Sequence, residues 1–342
     1  MQKARRSLVV LGSLVVALGI AESAAAALRD GAFPYLNIFQ ADADFGVRLR
    51  PDAQTAVRSF SGNVTSVHTS SLGFRGPEWV TGAATRVLLV GDSQMFGYNV
   101  DFDHTIAARL THPERAVFNA AVPSWGPLEY TAIVRELAPR YRPTHLIFVA
   151  NVANDWLESE APNRLRTTEH DGWLVARHPD LQTPLDFPGR DFLMGRSHLV
   201  YAFRKVASHV GGNAPPRAAN VDQLVQRLDE LRASSTHRSR ITRHLLAARD
   251  ACGCTVIATA LPLDVQVYAG EWAKYGTRPR NLRATEVLAR DFLADAEEHG
   301  IDTLDLLPVL RAASPGAFLA DDYHLSPTGH RAIATALEGH LP

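Results

Sequence analysis

Only two cysteines occur in the 342 residues, Cys252 and Cys254, with a single glycine between them. Two thiols are too few for a zinc site, and a one-residue gap is too short for an ordinary unstrained disulfide, so both are expected to be packing residues. Charge of one sign is also missing. The 35 basic and 36 acidic residues leave a formal net charge of -1, which gives no field to gather a polyanion, and no nucleic-acid partner is expected. A Walker loop, a His-Glu-x-x-His pair and a dinucleotide fingerprint are all absent, so nothing requires a metal or an organic cofactor. There is no Gly-x-Ser-x-Gly elbow either. The nearest approach, Gly195-Arg196-Ser197-His198-Leu199, lacks the closing glycine, and its Ser197-His198 pair reads as incidental.

What is present begins with a targeting segment. Lys3, Arg5 and Arg6 precede an apolar stretch from Leu8 to Ala21, followed by Glu22, Ser23 and a run of alanines. The apolar core is short for a bilayer span, and Ala24-x-Ala26 or Ala25-x-Ala27 fits a cleavage site, which favours a secretory signal peptide. If the helix runs on to Leu28 it is long enough to stay as an anchor, with Glu22 near its outer end. Either way residues 1–28 direct the body of the chain out of the cytoplasm, into the periplasm, the cell envelope or the medium, with a membrane tether as the second alternative.

Residues 29–83 are rich in turn formers and show no long helical period, so they are expected to be an extended segment laid on a domain. Within it, Ser71 to Pro77 combines turn residues with Phe74 and Arg75, and reads first as a turn and second as a brace beside an active site. From residue 84 the pattern becomes regular. Short apolar runs at Val87–Val90, Ala116–Val122, Leu146–Ala150, Thr255–Leu261 and Ile301–Leu307 read as buried parallel strands. Helical periods after Pro127 and over 221–231, 241–251 and 282–296 alternate with them, which predicts a three-layer α/β/α domain around a parallel sheet of about five strands. Residues 156–220 interrupt the rhythm and read as an insertion.

A serine becomes a nucleophile when a base takes its proton and donors stabilise the oxyanion formed on attack. Gly91-Asp92-Ser93 leaves the first strand at the edge where parallel sheets hold their ligands, and Gly91 is expected to permit a sharp turn there. Near the other end of the chain, Asp321-Asp322-Tyr323-His324 supplies a base. An aspartate three residues before the histidine can accept from Nδ1 and leave Nε2 to face the serine, so Asp321 is expected to fit better than Asp322.

Taken together, Gly91-Asp92-Ser93, Asn119 to Ser124, Asn154-Asp155 and Asp321-x-x-His324 resemble, in order, the four blocks of the SGNH (GDSL-like) hydrolases. The resemblance covers residues 84–342 apart from the insertion, and the run Gly91 to Val100 with Gly73-Phe74-Arg75-Gly76 looks like exported bacterial members. It implies a flavodoxin-like fold and a serine esterase with Ser93, Asp321 and His324 as the catalytic residues. It also implies an oxyanion hole made by the backbone N–H of Ser93, a second-block backbone N–H and the side-chain amide of Asn154. Two positions depart from the family pattern. Ser124 stands where a glycine is usual, and Val152 stands where the third block commonly has glycine. The implied substrate is a small-molecule or glycan ester, with an O-acyltransferase or a degenerate glycan-binding protein as alternatives.

Overall fold

The computed structural model describes residues 2–59, 61–178, 185–209, 230, 237–276 and 278–342. The strands are β1 Phe39–Asp42, β2 Gly46–Leu49, β3 Gln54–Arg58, β4 Val64–His68, β5 Thr85–Val90, β6 Arg115–Asn119, β7 His145–Asn151, β8 Thr167–His170, β9 Trp173–Ala176, β10 Thr255–Leu261 and β11 Asp302–Asp305. The described helices are α1 Gln2–Ala27, α2 Ser93–Phe96, α3 Ile106–Leu110, α4 Pro127–Tyr141, α5 Asp155–Glu158, α6 Asn163–Arg166, α7 Arg190–Gly195, α8 His198–His209, α9 His237–Cys252, α10 Asp264–Val267, α11 Arg283–Glu298, α12 Leu306–Ala312 and α13 Pro327–Leu337.

The central sheet is five-stranded and parallel, in the order β6-β5-β7-β10-β11. The sequence predicts this α/β fold because the inner strands are continuously apolar. Val87 to Val90 and Leu146 to Ala150 are all buried, as strands covered on both faces must be. Counted within the sheet, the order is 2-1-3-4-5, the flavodoxin-like doubly wound pattern, and its switch point lies between β5 and β7. Ligands bind beyond the strand ends at such a point because the loops there diverge to opposite faces and leave a crevice.

Helices α4, α9 and α11 pack along one side, while α3, α12 and α13 pack together on the other. Pro127 opens α4 where its missing N–H costs nothing, and the Glu129 carboxylate accepts from the Gly126 N–H at 3.1 Å. Ile133, Val134 and Leu137 then face the sheet. The helical pattern over 221–231 lies outside the described residues except for residue 230.

Residues 29–83 form two antiparallel hairpins, β1–β2 and β3–β4. Phe39, Val47, Val57 and Val67 bury into the same core as the sheet. The insertion contributes α6, the β8–β9 hairpin, α7 and α8.

One expectation is overturned here. Cys252 and Cys254 are joined by a disulfide, with their Cα atoms 5.2 Å apart. That separation is ordinary for a disulfide. It is reached because α9 ends at Cys252 and Gly253 takes a left-handed conformation, φ +60°, folding the chain back.

Candidate active site

Ser93 is the first residue of α2, directly beyond β5. Gly91 has its place for a reason other than the expected turn. Its φ is not left-handed, but a Cβ would stand 2.5 Å from the Met95 side chain, so only glycine lets α2 fold down onto the end of the strand. Asp92 caps α2 by accepting from the Gln94 N–H at 2.9 Å and also accepts from the Asn151 amide at 2.8 Å. The ends of β5 and β7 are thereby tied together at the switch point.

His324 approaches from the loop before α13. Its Nε2 lies 2.9 Å from Ser93 Oγ, and its Nδ1 lies 3.0 Å from Asp322 Oδ2. Three-residue spacing favours Asp321, but it is Asp322 that stands at the His324 ring. Three-residue spacing aligns side chains on a helix, but here the Leu319 N–H bonds to the His324 carbonyl in a tight turn that carries Asp322 toward the ring. Asp321 instead accepts from the backbone N–H of Ser61, on the β3–β4 hairpin.

Asp322 is buried and well supplied with donors. Its carboxylate also accepts from the Asn99 amide at 3.0 Å and from the Tyr323 N–H at 2.7 Å. Burial pulls this carboxyl up, but the bonds from His324, Tyr323 and Asn99 outweigh it and hold the group below the ordinary carboxylate value. The Lys274 ammonium donates to the Asp322 backbone carbonyl at 2.9 Å.

The two loops that carry serine and histidine are fastened to each other. Gln94 donates to the Tyr323 carbonyl at 3.0 Å and accepts from the Leu325 N–H at 2.9 Å. The His324 ring lies between Tyr98 and Tyr323, with centroids at 5.0 Å and 4.5 Å. Below the serine loop, the guanidinium of buried Arg75 donates to the carbonyls of Phe96, Gly97 and Val100. Ser71 to Pro77 is therefore both a turn and a brace.

Ser124 and Asn154 line the same cleft as Ser93 and His324. Ser124 holds φ +77°, a left-handed conformation that normally selects glycine. The chain thus keeps the backbone shape that the glycine would give. Val152 is fully buried, and its N–H bonds to the Leu261 carbonyl at 3.0 Å.

The Asn154 amide donates one N–H to Glu158 at 3.1 Å, which leaves its second N–H for another acceptor. Glu158 in turn pairs with Arg166 at 2.7 Å, and Arg166 reaches the Ser124 carbonyl at 3.1 Å. Burial pushes Glu158 up to about 7 despite the Arg166 guanidinium beside it. Deeper still, Asp155 accepts from the Asn151 N–H and from the Tyr130 hydroxyl. Burial, with Asp92 and Glu158 nearby, raises its carboxyl well above the ordinary value.

The cleft holds about 580 Å³. Its rim includes Tyr35 and Tyr323, both more than half exposed, with Arg58 and Leu174. Sequence reasoning did not single out Gln94, Asn99, Asn151, Glu158, Arg166 or Lys274. Gln94 and Asn99 lie inside the Gly91 to Val100 run, which was the one available signal.

Residues 221–342 match the family described as "SGNH hydrolase-like domain, acetyltransferase AlgX". No curated protein matches the sequence. Among solved structures, the chain is similar to one titled "Crystal Structure of TesA", at 14% identity and a TM-score of 0.41, covering 75% of this chain and 97% of that one. It is also similar to a catalytic mutant of Axe2, an acetylxylan esterase from Geobacillus stearothermophilus, at 15% identity and a TM-score of 0.39, covering 75% and 94%. The matched region carries the last two strands and the histidine loop to the edge where the first strands deliver Ser93 and Asn154, so the part of the chain that is similar to an SGNH hydrolase-like domain is the part that supplies His324.

Proposed function

We propose that the protein is an exported serine esterase that forms an acyl-enzyme on Ser93, and the observation that carries this is the 2.9 Å contact between Ser93 Oγ and His324 Nε2. With its Nδ1 proton directed at Asp322, the imidazole accepts the Ser93 proton at Nε2 as Oγ attacks the acyl carbonyl. The oxyanion is taken by the backbone N–H groups of Ser93 and Ser124 and by the second N–H of the Asn154 amide. The imidazolium then gives its proton to the departing alcohol oxygen. Water, deprotonated by the same nitrogen, releases the carboxylic acid and restores Ser93.

The substrate class is an O-acetyl or short acyl ester on a glycan of the envelope or surroundings. The hydrogen-bonding side chains of Arg58, Asn154 and Lys274 in a largely apolar cleft, and the two exposed tyrosines at its rim, support this, since sugar rings pack their C–H faces on aromatic side chains and hydrogen-bond at their edges. A second reading, acyl transfer to a sugar hydroxyl in place of water, is favoured by the acetyltransferase description of the matching family. The two share every step up to the acyl-enzyme.

Covalent labelling with a fluorophosphonate, followed by peptide mass spectrometry, tests the nucleophile. An adduct on Ser93 that is lost in His324→Ala supports the reading, and no adduct on folded protein sinks it in favour of a binding role. Supplying p-nitrophenyl acetate with and without oligosaccharide acceptors then separates hydrolysis from transfer by whether acetate or an acetylated sugar accumulates.

A further inference from the structure

The Ser197-His198 pair, which the chemistry leaves unused, meets the N-terminal helix. The Glu22 carboxylate of α1 accepts from Ser197 Oγ at 2.6 Å, from the His198 N–H at 2.7 Å and from the Leu199 N–H at 3.1 Å. It therefore caps α8 from another element and satisfies donors that a helix start leaves open. Around this cap, Ala21, Glu22, Ala25 and Ala26 of α1, with Arg29 just beyond its end, are partly covered, and the three alanines admit close approach. The Arg29 guanidinium lies 4.5 Å from the centre of the Tyr201 ring. Phe33 stacks on His198 at 4.2 Å and meets Trp173 at 5.5 Å.

The rest of α1 behaves differently. Leu8 to Ile20 is exposed along its apolar side chains and docks on nothing among the described residues, while the span Arg5–Ala27 is long and apolar enough to cross a membrane. Its 23 residues rise about 35 Å, against a hydrocarbon core of about 30 Å. Placing the cationic Arg5 and Arg6 on the cytoplasmic side puts Glu22 at the opposite interface. That is the level at which α7, α8 and the Trp173–Tyr201 aromatic group gather. Phe192, Leu193 and Phe203 are exposed on these elements, at 58%, 42% and 69%, with no partner among the described residues to explain them.

We propose that α1 is retained as a membrane anchor and that α7 and α8 form an apolar collar lying in the outer interface of the lipid bilayer. Cleavage after Ala26 or Ala27 would remove Glu22 and with it the acceptor for the His198 and Leu199 N–H groups, leaving α8 only the Ser197 cap on the Val200 N–H at 3.1 Å, so the folded body is built to keep its leader. The collar fixes the body against the membrane beside the anchor, with the aromatic group at the headgroup level where such rings settle. This stands apart from the chemistry of Ser93.

The test uses the full chain expressed in bacterial cells. Intact mass of the protein from the membrane fraction is expected to correspond to a chain that still contains residues 5–27, and a chain beginning at residue 27 or 28 overturns the proposal. The purified full chain is then placed in vesicles of phosphatidylethanolamine and phosphatidylglycerol and labelled with a bilayer-resident photoactivated carbene reagent. Peptides holding Phe192, Leu193 and Phe203 are expected to be labelled along with residues 8–20, and to lose that label in Phe192→Glu, Phe203→Glu. Label confined to residues 8–20 overturns the collar.

Discussion

His324 Nδ1 sits 3.0 Å from Asp322 Oδ2, while the neighbouring Asp321 carboxylate is spent on the backbone of the β3–β4 hairpin. Two adjacent acids thus have different work, and substitution separates them. Asp322→Asn presents an amide that no longer orients the imidazole, and kcat is expected to fall by about 10⁴. Asp321→Asn is expected to keep kcat within a few-fold. Steady-state kinetics on one activated acetyl ester checks both, and equal losses would return the orienting role to Asp321.

The oxyanion assignment makes a second prediction. Removing one donor of an oxyanion hole costs about 10² to 10³ in kcat. Asn154→Ala is expected to lose activity on that scale while still binding the fluorophosphonate slowly, because Ser93 and His324 are untouched. A loss confined to KM would show that Asn154 binds substrate and does not stabilise the intermediate.

Ser124 is held at φ +77°, and the consequence depends on what replaces it. Ser124→Gly is expected to leave kcat/KM within about threefold of the parent, since glycine adopts this backbone freely. Ser124→Val forces a β-branched residue into a conformation where it is a genuine outlier, with a cost on the order of 1–3 kcal/mol, and turns the N–H away if the strain is relieved. Chemical unfolding and kinetics on the pair distinguish a backbone role from a role for the serine hydroxyl, whose oxygen has no hydrogen-bond partner among the described residues.

Most of the fold was legible because inner strands of a parallel sheet announce themselves as short unbroken apolar runs, and Val87–Val90 and Leu146–Ala150 are buried without exception. The serine and the histidine were legible because each stands at a recognisable boundary, one after a strand and the other before a terminal helix. The choice between Asp321 and Asp322 was not legible. It rests on a turn closed by the Leu319 N–H and the His324 carbonyl, a contact between backbone groups that spacing does not encode. Gln94, Arg166 and Glu158 were hidden for a related reason: their partners lie far off in sequence or on the insertion, where no local period points to them. The disulfide between Cys252 and Cys254 was missed because its geometry depends on Gly253 reversing the chain.

His330 supplies a prediction about stability. The residue is buried on α13, with neither ring nitrogen hydrogen-bonded among the described residues, and burial, with Arg75 and Arg109 nearby, depresses it to about 3 from the ordinary value of 6.5. A histidine with a depressed folded pKa refuses a proton that the unfolded chain accepts, so its contribution falls as pH drops below 6.5 and keeps falling until about 3. Between pH 7 and pH 5 this single group is expected to cost the parent about 2 kcal/mol relative to a variant without it. His330→Gln leaves a polar side chain in the same buried site and is expected to be less stable at pH 7, with the gap narrowing by that amount at pH 5. Urea unfolding of both proteins at the two pH values measures the difference directly. A gap that stays constant would mean that His330 takes up its proton in the folded protein, and that the α13 interior is more accessible to water than its packing implies.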